Sequence, residues 1–241
     1  MGGFAIHALF DVLAWGAAAA AGLWLMRSGR VLFPVPQPLR FSYLAVLIFG
    51  AGLGAVAFGS ANLWLSGAPG IARSIEGAVA GAILAIEIYK RLTRMTLRTG
   101  ARFALPFAVG VAVGRIGCFL SGIDDFTHGS ATSLPWAHDF GDGVLRHPVQ
   151  LYESAAMAAF AAVYVWRVLR YDRFFVEQGF YLAAGFYGAQ RFVWEFIKPY
   201  GTLIGPFTLF HLLSAAVFVY AVAMIATAPK SQESAHERAF A

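Results

Sequence analysis

Residues 41–65, FSYLAVLIFGAGLGAVAFGSANLWL, contain no charged side chain and decide the class of fold. A helix needs about 20 mainly apolar residues to cross the ~30 Å hydrocarbon core of a bilayer. Similar apolar stretches recur along the chain, at residues 4–26, 41–65, 73–90, 101–122, 150–170, 174–197 and 203–227. The sequence therefore predicts an all-α integral membrane protein with seven transmembrane helices.

The composition supports the same class. Hydrophobic residues make up 59% of the 241-residue chain and charged residues 13%, about half the charged fraction of a soluble domain. These values exclude a water-soluble globule and a disordered chain. A single cysteine, Cys118, excludes a disulfide scaffold. The net charge of +5 does not indicate a nucleic-acid partner, because the basic residues are dispersed between the apolar stretches.

The connections between the spans differ in their content of lysine and arginine, which is higher in cytoplasmic loops. Alternate connections and the C-terminal tail together hold thirteen basic residues, namely Arg27, Arg30, Arg40, Lys90, Arg91, Arg94, Arg98, Arg102, Arg167, Arg170, Arg173, Lys230 and Arg238. The opposite connections hold three, Arg73, Arg146 and Lys198. This bias predicts that the N-terminus faces outward and the C-terminus faces the cytoplasm.

The same pattern predicts a simple domain organisation. Residues 1–227 are expected to form a single seven-helix transmembrane domain. It includes an outward loop at 123–149, whose Gly, Pro, Ser and Asp residues favour turns rather than a strand or a helix. Residues 228–241 are polar and charged, and they are expected to form a disordered cytoplasmic tail.

Ionisable residues inside the spans gather toward one side of the predicted bundle. Seven of them fall within about 15 Å of the outer interface at 1.5 Å per residue, namely Asp11, Glu76, Arg115, Glu153, Arg191, Glu195 and His211. Such groups are costly in a membrane and are usually functional. Transporters gather their sites near the midplane. This placement instead indicates chemistry on lipid headgroups at the outer leaflet.

Two arginines within spans need anionic partners, which can be carboxylates or phosphates. Tyr187, Arg191 and Glu195 are four residues apart and share one helix face, so Arg191 could simply neutralise Glu195. Arg115 has no carboxylate at helical spacing in its own span, so a protein partner would have to lie on another helix. A phosphodiester at the outer leaflet is the alternative partner for both arginines.

Other chemistries have little support in the sequence. His7, His128, His138 and His211 show no metal-ligand spacing, so neither a metal nor a cofactor is expected. Cys118 fits an apolar packing role better than a nucleophile. The motifs of serine hydrolases, metalloproteases and nucleotide-binding loops are absent from the sequence.

Three ordered motifs resemble those of the prolipoprotein diacylglyceryl transferase family: GRIGCFL at 114–120, RHPVQLYE at 146–153 and YGAQRFVWEF at 187–196. The resemblance runs over most of the chain. The family transfers the diacylglyceryl group of phosphatidylglycerol to the lipobox cysteine thiol of a preprolipoprotein, forming a thioether and releasing glycerol phosphate. It implies a transferase of lipoprotein biosynthesis in the bacterial cytoplasmic (inner) membrane, with its active site toward the outer leaflet.

Two alternatives remain beside this implied activity. One is a family member that uses the same phospholipid donor with a different acceptor. The other is a lipid-binding or transport protein without chemistry, which would release no glycerol phosphate.

The resemblance also implies a set of site residues. Arg115 matches the signature arginine, Arg191 and Glu195 match the sixth-span motif, and His147, Gln150, Tyr152 and Glu153 match an H-P-x-Q-L-Y-E run. The implied catalytic residues are Glu76, Arg115, His147, Glu153, Arg191 and Glu195. The implied substrate-binding residues are Arg115, Arg191, Gln150, Tyr152, Tyr187, Asp124 and Asp125.

The chain departs from the family pattern in two places. The signature usually continues as G-N-F, then asparagine, glycine and glutamate, whereas residues 117–119 read GCF and the nearest acids are Asp124 and Asp125. The third-span His-Gly-Gly motif is replaced by EGA at 76–78. The two arginines are retained, while part of the polar surroundings of the reacting bond is rebuilt.

These residues suggest a division of labour. A thiol with a pKa near 8.5 needs a base or a positive field before it attacks carbon. Arg115 and Arg191 would bind the headgroup phosphate, and Glu76 or Glu153 would be the base, with the other carboxylate orienting an arginine. His147 is the reserve base, because histidine has an unperturbed pKa close to neutrality.

We expect the segment 90–102 to face the cytoplasm, because it contains five of the thirteen basic residues on that side. Reporter fusions within this segment should report a cytoplasmic location, and fusions within 123–149 the opposite one. A reporter at 90–102 that is active outside the cytoplasm would overturn the predicted orientation.

Overall fold

Seven long α-helices account for most of the chain in the computed structural model, which describes residues 3–68 and 70–228. In chain order these helices are α1 (Gly3–Arg27), α2 (Arg40–Leu65), α3 (Ile75–Leu92), α4 (Ala104–Leu120), α5 (Val149–Leu169), α6 (Arg173–Glu195) and α7 (Leu209–Ala226). The predicted helical class is confirmed. The predicted tail lies, apart from Ala228, outside the described residues.

Helices α4 and α6 are the centre of the bundle. Helix α4 packs against α1, α5 and α6, while α6 also packs against α5 and α7. Helices α2 and α3 form a tight pair that joins the bundle through contacts between α3 and α7. Small side chains such as Ala104, Ala108, Ala183 and Ala184 are fully buried in the core. They allow the central helices to approach one another closely.

The apolar outer surface of the bundle suits a membrane. Within the described residues, four segments are long and apolar enough to cross a bilayer: Ala5–Arg27, Gln37–Leu65, Ala101–Leu120 and Leu209–Ala226. Large apolar side chains on these helices point away from the core, for example Ile48, Phe49 and Val219. The three remaining helices, α3, α5 and α6, carry four of the charged residues that meet inside the bundle, and α4 carries a fifth, Arg115.

The loop at 123–149 contains regular structure that the sequence did not predict. A 3₁₀ turn spans Ile123–Asp125, and β1 (His138–Asp139) pairs antiparallel with β2 (Leu145–Arg146). The prediction of turns alone was therefore wrong. The Asp139 carboxylate accepts the backbone N–H groups of Gly141, Asp142 and Gly143. This side chain closes the hairpin.

The predicted seventh span begins too early. Residues 203–208 belong to a second antiparallel hairpin, β3 (Thr202–Ile204) and β4 (Phe207–Thr208), and α7 starts only at Leu209. Gly205 has a φ of +55° in the turn, followed by Pro206, so a helix cannot continue through this segment. Thr208 and His211 then cap α7 reciprocally, each side chain bonding the backbone N–H of the other.

Glycines bring α2 and α3 into backbone contact. A Cβ atom added at Gly54 would overlap the backbone of Gly77 and Gly81, and one at Gly50 would overlap Gly81. A four-residue spacing of small residues is typical of closely packed membrane helices. The contact positions the first turn of α3, which carries Glu76, against the rest of the bundle.

Gly54→Ala should destabilise the protein, because an added methyl group forces two backbones apart at a cost of about 1–3 kcal/mol. The matched control is Gly52→Ala on the same helix, where a Cβ meets no atom within 4 Å. Thermal unfolding in detergent should show a lower midpoint for Gly54→Ala alone. Equal midpoints for the two variants would contradict the close packing of α2 on α3.

Candidate active site

Five of the predicted site residues meet inside the bundle. Glu76 comes from α3, Arg115 from α4, Glu153 from α5, and Arg191 and Glu195 from α6. Each of the five is at most 5% exposed to solvent. Together with Lys198, described below, they form what we call the charge cluster.

Arg191 is the centre of the charge cluster. Its Nε lies 2.9 Å from Glu76 Oε2, its Nη1 2.6 Å from Glu153 Oε1, and its Nη2 3.1 Å from Glu195 Oε2. One guanidinium group therefore binds carboxylates from three helices. Its rigid fork of donors suits several partners at once better than the point charge of a lysine would.

Glu153 is the carboxylate most surrounded by cations. Besides Arg191, it lies 2.5 Å from Nε of Arg115 and 2.7 Å from Nζ of Lys198. Lys198 follows α6, and its side chain is buried. Burial and the nearby Arg191 lower the pKa of Lys198 to about 8, while Glu153 opposes this shift. With Lys198 included, three carboxylates face three cationic groups.

Hydroxyl groups from the seventh helix and its cap complete the cluster. Ser214 donates to Glu76 Oε1 at 2.5 Å, and Thr208 donates to Glu195 Oε1 at 2.7 Å. Glu76 therefore has one cationic partner and one hydroxyl donor, whereas Glu153 has three cationic partners. The environments of these two carboxylates differ sharply.

Both arginines have the carboxylate partners that the sequence allowed for them. Arg191 pairs with Glu195 one turn along its own helix, and Arg115 pairs with Glu153 on another helix. The two arginines differ in their remaining donors. Arg191 uses Nε, Nη1 and Nη2 on carboxylates, whereas Arg115 directs Nη1 toward Cys118 Sγ at 3.9 Å. Nη2 of Arg115 makes no hydrogen bond to the part of the chain that the structure describes.

Two buried polar side chains next to the cluster lack partners. Neither amide atom of Gln150 has a hydrogen-bond partner, nor does the hydroxyl of Tyr187, within the described residues. Both side chains are fully buried. Buried polar groups are nearly always hydrogen bonded, so such exceptions call for an explanation. Gln150 lies three residues before Glu153, and Tyr187 four before Arg191, so a polar ligand at the cluster could satisfy both.

Other predicted site residues lie apart from the cluster. Tyr152 accepts a hydrogen bond from the Trp136 indole at 2.7 Å and lies 3.3 Å from Nδ1 of His147. No hydrogen bond or ion pair among the described residues joins His147 to the three glutamates. Asp125 contacts His7 instead. The side chain of Asp124 lies outside the described part of the structure.

An apolar cavity of about 270 Å³ runs along α3. It begins at Ile75, next to Glu76, and extends toward Glu87 near the other end of the helix. Phe107 lines the cavity and packs edge-on against Tyr187, with ring centroids 5.3 Å apart. The apolar lining suits a hydrocarbon chain, and Ile75 and Phe107 place one end of the cavity near residues of the charge cluster and its surroundings.

Comparison of the sequence with known proteins identifies a family. The model of the family described as prolipoprotein diacylglyceryl transferase matches residues 12–227. The chain belongs to this family. It is 32% identical to the phosphatidylglycerol–prolipoprotein diacylglyceryl transferase of Geobacter sulfurreducens over 199 residues, covering 76% of this chain and 74% of the relative.

Other relatives with the same name match over similar lengths. The enzyme of Cupriavidus necator is 30% identical over 82% of this chain and 76% of its own length. The enzyme of Bordetella parapertussis is 28% identical over 85% of this chain and 82% of its own. The resemblance inferred from three motifs is confirmed, and membership in a family of membrane transferases agrees with the apolar helices.

Three side chains that belong to the charge cluster or contact it were not predicted as site residues. Lys198 was counted only as a basic residue of an outward connection, although its spacing of three from Glu195 is a usable signal. Thr208 and Ser214 are uncharged and lie within the seventh apolar stretch. Their contacts with Glu195 and Glu76 depend on how α7 packs, which spacing along the chain does not reveal.

Arg191→Gln should destabilise the fold strongly, because it leaves buried carboxylates without their shared cation, at a cost of about 3–5 kcal/mol. The matched control is Arg167→Gln, which removes a partly exposed pair with Asp172 worth about 0–1 kcal/mol. Thermal unfolding of both variants in detergent provides the comparison. A similar midpoint for the two variants would contradict the central role of Arg191.

Proposed function

We propose that this protein transfers the diacylglyceryl group of phosphatidylglycerol to the lipobox cysteine thiol of a preprolipoprotein and releases glycerol phosphate. One observation carries the proposal: each of the three family motifs contributes a charged residue (Arg115, Glu153 and Arg191) to one buried cluster. Beside it lie Gln150 and Tyr187, whose side chains lack hydrogen-bond partners within the described residues. The names of the relatives provide the donor and the acceptor class.

Arg115 is the first ligand of the donor phosphate in this proposal. Within the described residues its Nη2 makes no hydrogen bond, whereas all three nitrogens of Arg191 lie next to carboxylates. Arg191 would act as a second phosphate ligand after one of these carboxylates gives up its contact. Gln150 and Tyr187 would supply neutral hydrogen bonds to the headgroup.

Charge balance within the cluster supports Glu76 as the base. The cluster is formally neutral, so a bound phosphodiester adds one negative charge, and departure of the phosphate monoester adds more. Protonation of one carboxylate offsets this charge. Glu76 has a single cationic partner and is better suited to take a proton than Glu153, which has three. Glu153 would instead orient Arg115.

The transfer step is an alkylation of sulfur. Glu76 takes the thiol proton, the sulfur attacks the glycerol carbon, and a C–S bond forms as the C–O bond to phosphate breaks. The departing oxygen keeps the electron pair of that bond, and Arg115 stabilises its charge. The apolar cavity along α3 would hold acyl chain, with the lipid entering sideways from the membrane.

The proposal includes a membrane orientation. All seven helices would cross the cytoplasmic (inner) membrane as one domain over 1–227, with the N-terminus outside and the tail at 228–241 inside. The cluster uses the first two turns of α3, α5 and α7 and the last two turns of α4 and α6, so it occupies one end of the bundle. Most basic residues lie toward the other end, which supports an outer-leaflet site.

The test is turnover by the purified protein with phosphatidylglycerol and a peptide that carries a lipobox cysteine. Peptide mass and glycerol phosphate release should rise together, and phosphatidylcholine should not replace the donor. Glycerol phosphate release without a change in peptide mass would indicate another acceptor and refute the proposed one. Lipid binding without release would refute the transferase activity.

Glu76→Gln should lower the transfer rate about 10²–10⁴-fold, because the amide keeps the shape of the side chain but cannot accept the thiol proton. The matched control is Glu177→Gln near the start of α6, at the opposite end of that helix from Glu195. Single-turnover assays at saturating donor measure the rate of the chemical step. Near-normal transfer by Glu76→Gln would exclude it as the base.

A further inference from the structure

A second group of polar side chains meets outside the charge cluster, at the junction of α1 and α4. His7 Nε2 lies 3.1 Å from Asp125 Oδ1 and 3.8 Å from Cys118 Sγ. The three possible ligand atoms all lie within 4.8 Å of one another. Gly117 permits this approach, because a Cβ there would overlap Phe10 of α1.

Contacts with the His7 ring leave the sulfur of this group, which we call the His7 cluster, with only a long contact of 3.8 Å. Nδ1 of His7 faces Asp11 Oδ2 at 3.3 Å, so one ring nitrogen already has an acidic partner. Nε2 then faces both Asp125 and Cys118, yet it carries at most one proton. A cation between the three atoms would satisfy the imidazole, the carboxylate and the sulfur together.

We propose that the His7 cluster binds a divalent transition-metal ion of the zinc class through His7 Nε2, Cys118 Sγ and Asp125 Oδ1. Imidazole, thiolate and carboxylate are the usual ligands of Zn²⁺. Tetrahedral bond lengths of about 2.0–2.3 Å place neighbouring ligand atoms roughly 3.3–3.6 Å apart. The two distances from His7 Nε2, 3.1 and 3.8 Å, lie within a few tenths of an ångström of these values. The Asp125 oxygen and the Cys118 sulfur lie within 4.8 Å of each other and would move closer on binding.

Each of the three ligands has a partner that orients it. Asp11 Oδ2 lies 3.3 Å from the other ring nitrogen of His7, and a carboxylate at that nitrogen commonly supports metal-bound histidines. Thr127 donates to Asp125 Oδ2 at 2.5 Å and leaves Oδ1 for the metal. Arg115 Nη1 lies 3.9 Å from Cys118 Sγ, where its charge favours the thiolate.

Three protein ligands leave a fourth tetrahedral position for water or an external ligand. The ligands come from α1, α4 and the 3₁₀ turn after α4, so metal binding would join the first helix to the outward loop. Cys118 stands where the family signature carries asparagine, so the sulfur ligand coincides with a departure of this chain from the pattern. The inference does not depend on the proposed transferase activity.

The test is metal binding without substrates. Protein purified on an affinity tag that does not bind metals is stripped with a chelator and titrated with Zn²⁺ and, separately, Co²⁺. We expect about one zinc ion per chain and a thiolate-to-Co²⁺ charge-transfer band. Zn²⁺ should also raise the midpoint of thermal unfolding. The absence of a saturable site in the unsubstituted protein would overturn the proposal.

Variants identify the ligands. His7→Ala and Cys118→Ser should each weaken Zn²⁺ affinity at least tenfold, and Cys118→Ser should abolish the charge-transfer band. The matched control is His138→Ala, which removes an exposed histidine of the outward loop and should leave affinity unchanged. Unfolding midpoints without metal show whether each variant is folded. A folded His7→Ala protein that binds Zn²⁺ as tightly as the control would refute the assignment.

Discussion

The guanidinium group of Arg191 holds the interior of this protein together. It binds three carboxylates that belong to α3, α5 and α6, so three helices share one buried cation. Removing any of these groups would leave uncompensated charge where water cannot reach it. The bundle can therefore contain a polar site in an otherwise apolar fold only because the cationic and anionic groups match closely in number and position.

This balance also explains how the site can act on a lipid. The cluster has no net charge, so the negative charge of an incoming phosphate must be offset by breaking existing ion pairs or by protonating a carboxylate. Within the described residues Arg115 has a donor nitrogen without a hydrogen bond, and Glu76, like Glu195, has one cationic partner. In the proposed mechanism Arg115 and Glu76 act on the substrates, while Arg191 and Glu153 maintain the structure around them.

Sequence patterns predicted the helices and most of the cluster, because apolar length and four-residue spacing act locally. The pair of Arg191 and Glu195 follows from spacing along one helix. The contact of Glu153 with Arg115 and Lys198 does not, since it depends on how separate helices pack. Most of the hairpin at 202–208 was predicted as helix, because its residues are mainly apolar and apolar content does not distinguish a short strand from a membrane helix. The His7 cluster was also missed, since residues far apart in the chain form it.

Thr208 links the beginning of a helix to the chemistry of the site. Its hydroxyl donates to Glu195, its side chain also accepts the His211 N–H, and it is the last residue of the second hairpin. Swinging that hairpin outward would break the contact with Glu195 and fray the first turn of α7, where loss of a cap alone costs about 1 kcal/mol. One side chain therefore couples the position of the hairpin, the start of α7 and the orientation of the Glu195 carboxylate.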